Sequence, residues 1–233
     1  MKLNKPKLLS LTGIRQAIDS LESAARNFGI HFSGYSQISL NKFNSLPQIS
    51  QTAIIESISF LASVIDSIDP RIDKTRFELE VINRVVRAAK LKVPSDFLNV
   101  IEQGDIVEIY DFKSQTQIYR NLEFLRISSY DLLFAIATPF PELFERDEEI
   151  GPMLIKRTED VALKQDSVNM WNIPDHQLIE KLHVNKRIFA MKMKYISPVY
   201  CETTGARVAW VSTLRATLVG SAFDDTNVKP ITN

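Results

Sequence analysis

The chain has 233 residues, with 28 basic and 28 acidic side chains and a formal net charge of zero. This balance gives no general electrostatic case for a nucleic acid or an anionic membrane as partner. Hydrophobic residues make up 45% and charged residues 24% of the chain, the proportions of a soluble globular protein. The single cysteine, Cys201, excludes an intramolecular disulfide bond and a thiolate zinc cluster.

Motifs for nucleotide binding and for common enzyme classes are missing from the sequence. Phosphate-binding loops need clustered glycines so that backbone amides can approach the anion, and the chain has only seven glycines. Gly29 and Gly34 have the spacing of a P-loop, but Tyr35 stands where the phosphate-binding lysine belongs. The sequence also has no Rossmann fingerprint, no HExxH motif and no Ser-His-Asp pattern. These features argue against an enzyme and identify no cofactor.

No targeting or membrane-spanning segment is predicted. The apolar run at Leu8, Leu9 and Leu11 is shorter than the roughly 7–15 apolar residues of a secretion signal. No stretch approaches the ~18 uncharged apolar residues of a membrane span. Together with the single cysteine, these observations predict a cytoplasmic protein with no membrane partner.

The first hundred residues have the apolar spacing of helices. Apolar side chains recur every three or four positions, which is the period of one helix face. The pattern predicts four helices, at 12–28, 51–69, 73–91 and 96–103, and assigns residues 30–49 to a connection with one short helical turn. Each helix has one apolar stripe, which must be buried against another helix or against a second copy of the chain. We therefore expect residues 1–104 to form a helical bundle that makes a homodimer.

After Gly104 the pattern changes to that of an α+β domain over residues 105–222, followed by a loose polar tail at 223–233. Two strands joined near 113–115 are predicted first, and helices follow, the last of them at 174–182. Residues 186–196 alternate apolar and polar side chains, which indicates a strand with one buried face. Pro198 is expected to end that strand, and a hairpin turning at 203–206 completes the domain.

The predicted fold class is α+β: an N-terminal helical bundle followed by a mostly antiparallel five-stranded sheet with helices on one face. The order of two strands, several helices and three strands is similar to that of PAS sensory domains, with the related GAF family as the second choice. The resemblance covers about half of the chain and rests on element order. It implies a single sheet crossed by helices that enclose a ligand pocket.

Large aromatic and methionine side chains in the predicted strands are the candidates for such a pocket. In a sensory domain they line the ligand site, and in any other α+β domain they form the solid core. The candidates are Tyr110, Tyr119, Phe124, Phe189, Met191, Met193, Tyr195 and Trp210.

A metal site is the alternative reading of the segment 174–182. If that segment is a helix, His176, Glu180 and His183 share one of its faces, and imidazole and carboxylate groups are a known ligand set for zinc or iron. The two histidines would lie about 10 Å apart along the axis, too far to share one ion. His176 with Glu180 could hold a metal if a third ligand came from elsewhere, and a plain exposed polar face is the simpler interpretation.

These observations lead to three functional hypotheses. The first is a signalling or regulatory module that dimerises through its helices and binds a small ligand or a partner protein through its PAS-like domain. The second is a ligand-free interaction or scaffold protein whose α+β domain is solid. The third is a small metal-dependent enzyme built on the two histidines and the glutamate. The fold-level resemblance alone does not decide among them.

Overall fold

The chain forms an α+β structure in which helices pack on both faces of an antiparallel sheet. This computed structural model describes residues 5–113, 117–163, 168–169, 173–182 and 185–223. Its helices are α1 (Lys5–Arg26), α2 (Gln37–Ser45), α3 (Gln48–Asp66), α4 (Lys74–Ala88), α5 (Ser95–Leu98), α6 (Glu123–Ile127), α7 (Leu132–Ala137), α8 (Phe140–Leu143) and α9 (Ile150–Leu163). Its strands are β1 (Leu91–Lys92), β2 (Ile106–Asp111), β3 (Gln117–Arg120), β4 (Phe144–Arg146), β5 (Val168–Asn169), β6 (His176–Glu180), β7 (Asn185–Cys201) and β8 (Arg207–Phe223).

The N-terminal helices begin and end at residues whose chemistry suits those positions. Gly29 follows α1 with a φ of 69°, a conformation that favours glycine, and its N–H donates to Arg26 O at 3.0 Å. Asp73 caps α4, because its carboxylate accepts a 3.0 Å hydrogen bond from the Arg76 N–H. Three of the four predicted N-terminal helices are confirmed as α1, α3 and α4, and the fourth is the single turn α5.

The N-terminal region is not a purely helical bundle, contrary to the prediction. Residues 91–92 form β1, which pairs with Cys201 and Tyr200 of β7 and so belongs to the sheet. The predicted connection at 30–49 also contains the nine-residue helix α2. Ser36 caps this helix through its hydroxyl, which accepts from the Ser39 N–H at 3.2 Å.

The sheet is organised around one long hairpin. β7 and β8 each have 17 residues and pair antiparallel along almost their whole length. The chain turns between them at 202–206, where Gly205 has a φ of 69°. This confirms the predicted turn at 203–206. The ladder has irregularities, one of them at Met193–Tyr195, and these bulges bend and twist the strands.

The other strands attach to the two edges of this hairpin. β2 pairs with β8, and β3 follows β2. On the other side β6, β5 and β1 pair successively along β7, and β4 pairs with β6. The main path of the sheet is β3-β2-β8-β7-β6-β4, and every one of these pairings is antiparallel. The sheet therefore has eight strands within the described residues, so the five-stranded prediction was wrong.

Helices cover both faces of the sheet, although one face was predicted. Tyr119 and Arg120 are neighbours on β3, so their side chains point to opposite faces. Tyr119 faces Glu78 of α4, whereas Arg120 lies 4.5 Å from the ring of Phe124 on α6. The N-terminal helices thus pack on one face, and α6 packs on the other.

Three further details of the sequence-based assignment were wrong. The helix expected at 174–182 is the strand β6, which pairs with β7. Phe124, expected in a strand, belongs to α6. Pro198 does not end β7: it pairs with Trp210 within the β7–β8 ladder. On the edge of β7 that faces away from β8, Pro198 lies between the residues that pair with β5 and those that pair with β1. No strand there needs the backbone N–H that proline lacks.

An ion-pair cluster ties the junction between the two predicted regions to the hairpin. Asp105, whose side chain is fully buried, accepts from Lys194 Nζ at 2.6 Å and from Arg215 Nη2 at 2.8 Å. Glu102 contacts the same two cations at 3.0 and 3.1 Å. Because the Asp105 carboxylate is fully buried, it needs these cations to compensate its charge. The cluster therefore holds the start of β2 against the centre of the sheet.

One continuous hydrophobic core runs through residues on both sides of the predicted boundary at 104. A backbone connection joins the two sides as well. The Leu132 N–H donates to Ser33 O at 2.8 Å, and the Leu133 N–H donates to Gly34 O at 3.0 Å. The segment before α2 is thereby bonded to the start of α7. The predicted tail at 223–233 lies, apart from Phe223, outside the described residues.

α3 is long and apolar enough to pass a test for membrane spans, with a mean hydropathy of 1.2 over an 18-residue window. This length and composition are weak indications, because core helices of soluble proteins share them. In the structure Ile58, Ala62 and Ile65 of this helix are buried in the common core.

We predict that Gly34→Ala destabilises the protein. A Cβ at this position would overlap Cγ2 of Ile18 and crowd the Glu22 carboxylate on α1. Relieving that overlap requires moving the segment away from the helix, which costs about 1–3 kcal/mol. The free energy of unfolding is measured by urea denaturation.

Gly151→Ala is the matched control, because a Cβ there meets nothing within 4 Å and the residue lies in α9. It is expected to stabilise the protein by about 0.5–1 kcal/mol. Equal unfolding midpoints for the two variants would contradict the close approach at Gly34.

Candidate ligand-binding site

Side chains from the two ends of the sheet meet on one of its faces. β3 and β4 stand at opposite ends of the six-strand path, and in a flat sheet they would be about 24 Å apart. Instead, Arg120 of β3 and Arg146 of β4 both lie over the ring of Phe140, with Cζ 5.8 and 5.5 Å from its centroid. Both arginines project from the same face of the sheet, which we call the concave face.

Alternation along β2 and β8 directs polar and aromatic side chains to this concave face. Glu108 pairs with Ser212, and Tyr110 pairs with Trp210 in the ladder. The rings of Tyr110 and Trp210 stack, with centroids 4.5 Å apart and an interplanar angle of 17°. Such a pair contributes about 0.5–1.5 kcal/mol beyond its buried area.

A buried ion pair lies beside this aromatic stack. Arg120 Nη2 is 2.6 Å from Glu108 Oε1, and the two side chains are only 14% and 13% exposed. Arg120 Nη2 also donates to the Tyr110 hydroxyl at 3.3 Å. Burial raises the pKa of the Tyr110 phenol to about 12, and the charge of Glu108 acts in the same direction. Glu108 and Arg120 thus neutralise each other.

Arg146 has no such counterion. Among the described residues no carboxylate lies within ion-pair distance of its guanidinium, and its buried Nε has no hydrogen-bond partner. Burial lowers the pKa of Arg146, and Glu108 opposes this effect only from a distance. The neighbouring charge of Arg120 lowers the pKa further. The ring of Phe140 is the contact that the structure gives this cation.

Three more buried polar atoms on the concave face have no hydrogen-bond partner among the described residues: Nε2 of His176, Nε1 of Trp210 and Oγ of Ser212. His176 is 5% exposed and pairs with Met191 of β7. Its Nδ1 lies 3.2 Å from Pro174 O. Burial lowers the pKa of His176, and Arg146 contributes in the same direction.

We call this group of seven side chains the concave-face cluster. Its members are Glu108, Tyr110, Arg120, Arg146, His176, Trp210 and Ser212. A neutral histidine that donates from Nδ1 leaves Nε2 as an acceptor, and the Ser212 hydroxyl can accept or donate. The cluster therefore offers a bound molecule both donors and acceptors.

The eight predicted pocket residues are divided between the two faces of the sheet. Tyr119 and Tyr195 lie on the face covered by the N-terminal helices, where Tyr195 lies 6.1 Å from Phe97 of α5. The other six lie on or over the concave face, five from strands and one from α6: Tyr110, Phe189, Met191, Met193, Trp210 and Phe124.

The sequence-based search missed the charged members of the cluster. Glu108 lies two residues before Tyr110 on β2, so both side chains point to the same face of the sheet. A charged residue at such an inward position was the available signal of a site. Arg120 and Arg146 gave no such signal, because nothing local shows that β3 and β4 converge. Arg146 depends on the far edge of the sheet for its neighbours, whereas Arg120 lies opposite Glu108 in the β2–β3 ladder.

The proposed metal-ligand set lacks the geometry on which it depended. His176 and Glu180 lie on the strand β6 rather than on a helix, and four residues along a strand span about 13 Å. His183 lies outside the described residues. Glu180 is fully buried and accepts hydrogen bonds from the Ser129 N–H at 2.7 Å and from the Ser129 hydroxyl. No cluster of three or more His, Cys, Asp or Glu side chains fit for a metal occurs in the described part of the chain.

A separate pocket of about 230 Å³ lies between the N-terminal helices and the start of the sheet. Phe28 and Phe77 stack at 4.2 Å in its wall, and the Glu78 carboxylate belongs to its lining. Asn121 Nδ2 donates to Glu78 at 3.4 Å. Burial raises the pKa of Glu78 to about 7. None of the eight predicted pocket residues lines this space.

Comparison with known proteins finds no matching family model, no matching curated protein and no matching solved structure. Function is therefore inferred from the chemistry of the side chains.

We predict that Glu78 makes the stability of the protein depend on pH. Its pKa is about 7 in the folded protein, against an ordinary value of 4.5. Between these values the folded state holds a proton that the unfolded chain has released, so the free energy of unfolding falls as pH rises from about 4.5 to 7. A fall on the order of 1–3 kcal/mol is expected. Glu78→Gln should remove it, as measured by urea unfolding at pH 5, 6, 7 and 8.

Glu56→Gln is the control, because Glu56 is an exposed glutamate on α3. This variant should keep the pH profile of the parent protein. If Glu78→Gln and the parent gave parallel profiles, Glu78 would not be the titrating group.

Proposed function

We propose that this protein is a regulatory module that binds a small ligand at the concave face of its sheet. The observation that carries the proposal is the concave-face cluster, where arginines from two sheet edges lie near stacked aromatic rings. Several of its buried polar atoms have no hydrogen-bond partner in the described part of the chain. Buried polar groups in folded proteins nearly always have hydrogen-bond partners. A ligand with matching polar groups supplies them here.

The composition of this face supports a small-molecule site. Ligand sites are mostly apolar and aromatic, with a few polar groups that fix the orientation of the ligand. Met191 and Phe189 extend the apolar surface beside His176, while Tyr110 and Trp210 add flat rings. The PAS-like interpretation is part of the proposal. It is supported by the order of elements, in which β2 and β3 precede α6 to α9 and β6 to β8 follow.

A homodimer is also part of the proposal. Ile49 and Phe60 of α3 are 81% and 39% exposed, and a second copy of the chain would cover apolar side chains of this kind. The second candidate function is a ligand-free interaction protein. It is favoured by the outer side of α9, where Ile155 and Leu163 are 61% and 75% exposed.

Native mass spectrometry of the purified full chain tests the proposal. We expect a dimer that carries a small molecule and loses this extra mass on denaturation. Tyr110→Leu removes the ring that stacks on Trp210, and it should lower the occupied fraction about three- to tenfold. Tyr35→Leu, which changes a half-buried tyrosine remote from the cluster, should leave the occupied fraction unchanged.

Circular dichroism establishes that both variants fold. A chain that carries no extra mass, and whose Trp210 indole resonance is unchanged by a small-molecule extract of the host cells, would contradict the ligand site. That result together with a partner bound through α9 would favour the interaction protein.

A further inference from the structure

We infer that the ligand carries an oxyanion, a carboxylate or a phosphate group, which Arg146 binds at the concave face. This inference rests on the proposed ligand site and specifies the chemical class of its occupant. It begins from the balance of charge inside the concave-face cluster.

The cluster holds two guanidinium groups and one carboxylate. Arg120 and Glu108 form a pair at 2.6 Å and neutralise each other. Arg146 is then left as a cation whose buried Nε has no hydrogen-bond partner among the described residues. Glu180 does not serve as its counterion, because its oxygens accept from Ser129 and from the Arg187 N–H at 3.3 Å. The cluster therefore has a net positive charge.

Arg146 is partly buried, and a cation that loses part of its hydration without a counterion is destabilised in a folded protein. The Phe140 ring at 5.5 Å offsets only part of that cost, since a cation–π contact contributes about 0.5–2 kcal/mol. An oxyanion offsets more of it. The guanidinium presents its N–H groups in a planar fork that matches the two oxygens of a carboxylate or two of a phosphate.

The other unpartnered atoms fit the same class of ligand. Trp210 Nε1 is a donor, and the Ser212 hydroxyl can donate as well, so both suit the oxygens of an anion. The acceptor Nε2 of His176 suits a hydroxyl, as found on a hydroxy acid or on a singly protonated phosphate. An organic cation does not fit, because Arg146 and Arg120 would repel it.

Titrations of the full-length ¹⁵N-labelled protein with sodium acetate and with sodium phosphate test the inference. The readout is the indole N–H resonance of Trp210, assigned by comparison with Trp171→Phe, since the chain has two tryptophans. Sodium chloride at matched ionic strength controls for screening. We expect a saturable shift with at least one of the two oxyanions and no saturable shift with chloride. The oxyanion that saturates distinguishes a carboxylate site from a phosphate site.

Arg146→Gln should weaken this binding about ten- to hundredfold, since it removes a hydrogen-bonded charge. Arg87→Gln, at an exposed arginine of α4, should change the affinity less than twofold. Arg146→Lys keeps the charge but loses the planar fork, and it should weaken binding at least threefold. This second variant decides the question if Arg146→Gln does not fold.

The outcomes separate the inference from the proposed function. If acetate or phosphate binds equally well to the parent and to the Arg146 variants, the assignment of Arg146 is overturned and the ligand site stands. If neither oxyanion binds but native mass spectrometry shows a neutral retained molecule, the anionic class is overturned and the ligand site again stands. If nothing binds by either method, both are overturned.

Discussion

The continuous ladder between β7 and β8 is the interaction on which the rest of this structure depends. β2 attaches to β8, and three separate strands attach end to end along β7. The buried carboxylate of Asp105 fastens the beginning of β2 to Lys194 and Arg215 of the same hairpin. Bulges in the ladder add twist. The hairpin therefore fixes the position of every strand that pairs with it.

Side chains from both ends of the sheet create the chemistry of the concave face. Arg120 and Arg146 come from opposite edges of the sheet and meet over one phenylalanine ring. Both are partly buried, and in such surroundings a charge attracts an opposite charge more strongly than it would in water. Arg120 has a carboxylate partner because Glu108 stands opposite it in the β2–β3 ladder, whereas Arg146 pairs with Leu178.

Local sequence patterns predicted the helices α1, α3 and α4 and the turn at Gly205, because each depends on its own apolar stripe or its own φ angle. Residues 176–180 were misassigned because their side chains suit a helix face as well as a strand, and pairing with β7 decides between the two. The structure confirms that Tyr110 and Trp210 lie in strands, as predicted from the β-branched and aromatic residues around them. Arg146 was not singled out, since its neighbours come from the far edge of the sheet and no local pattern encodes that distance.

The position of the hairpin in the chain has a consequence for biosynthesis. β7 and β8 occupy the centre of the sheet, yet they follow every other described strand in the sequence. During translation α1 to α4 can form their local contacts early, and β2 can pair with β3 and β4 with β6. The other edges of β2 and β6 must wait for the hairpin. Until the hairpin leaves the ribosome, those strands have unpaired edges, which are the usual starting points of aggregation. We expect the nascent chain to depend on chaperones late in synthesis, with the closing of the sheet as its slow step.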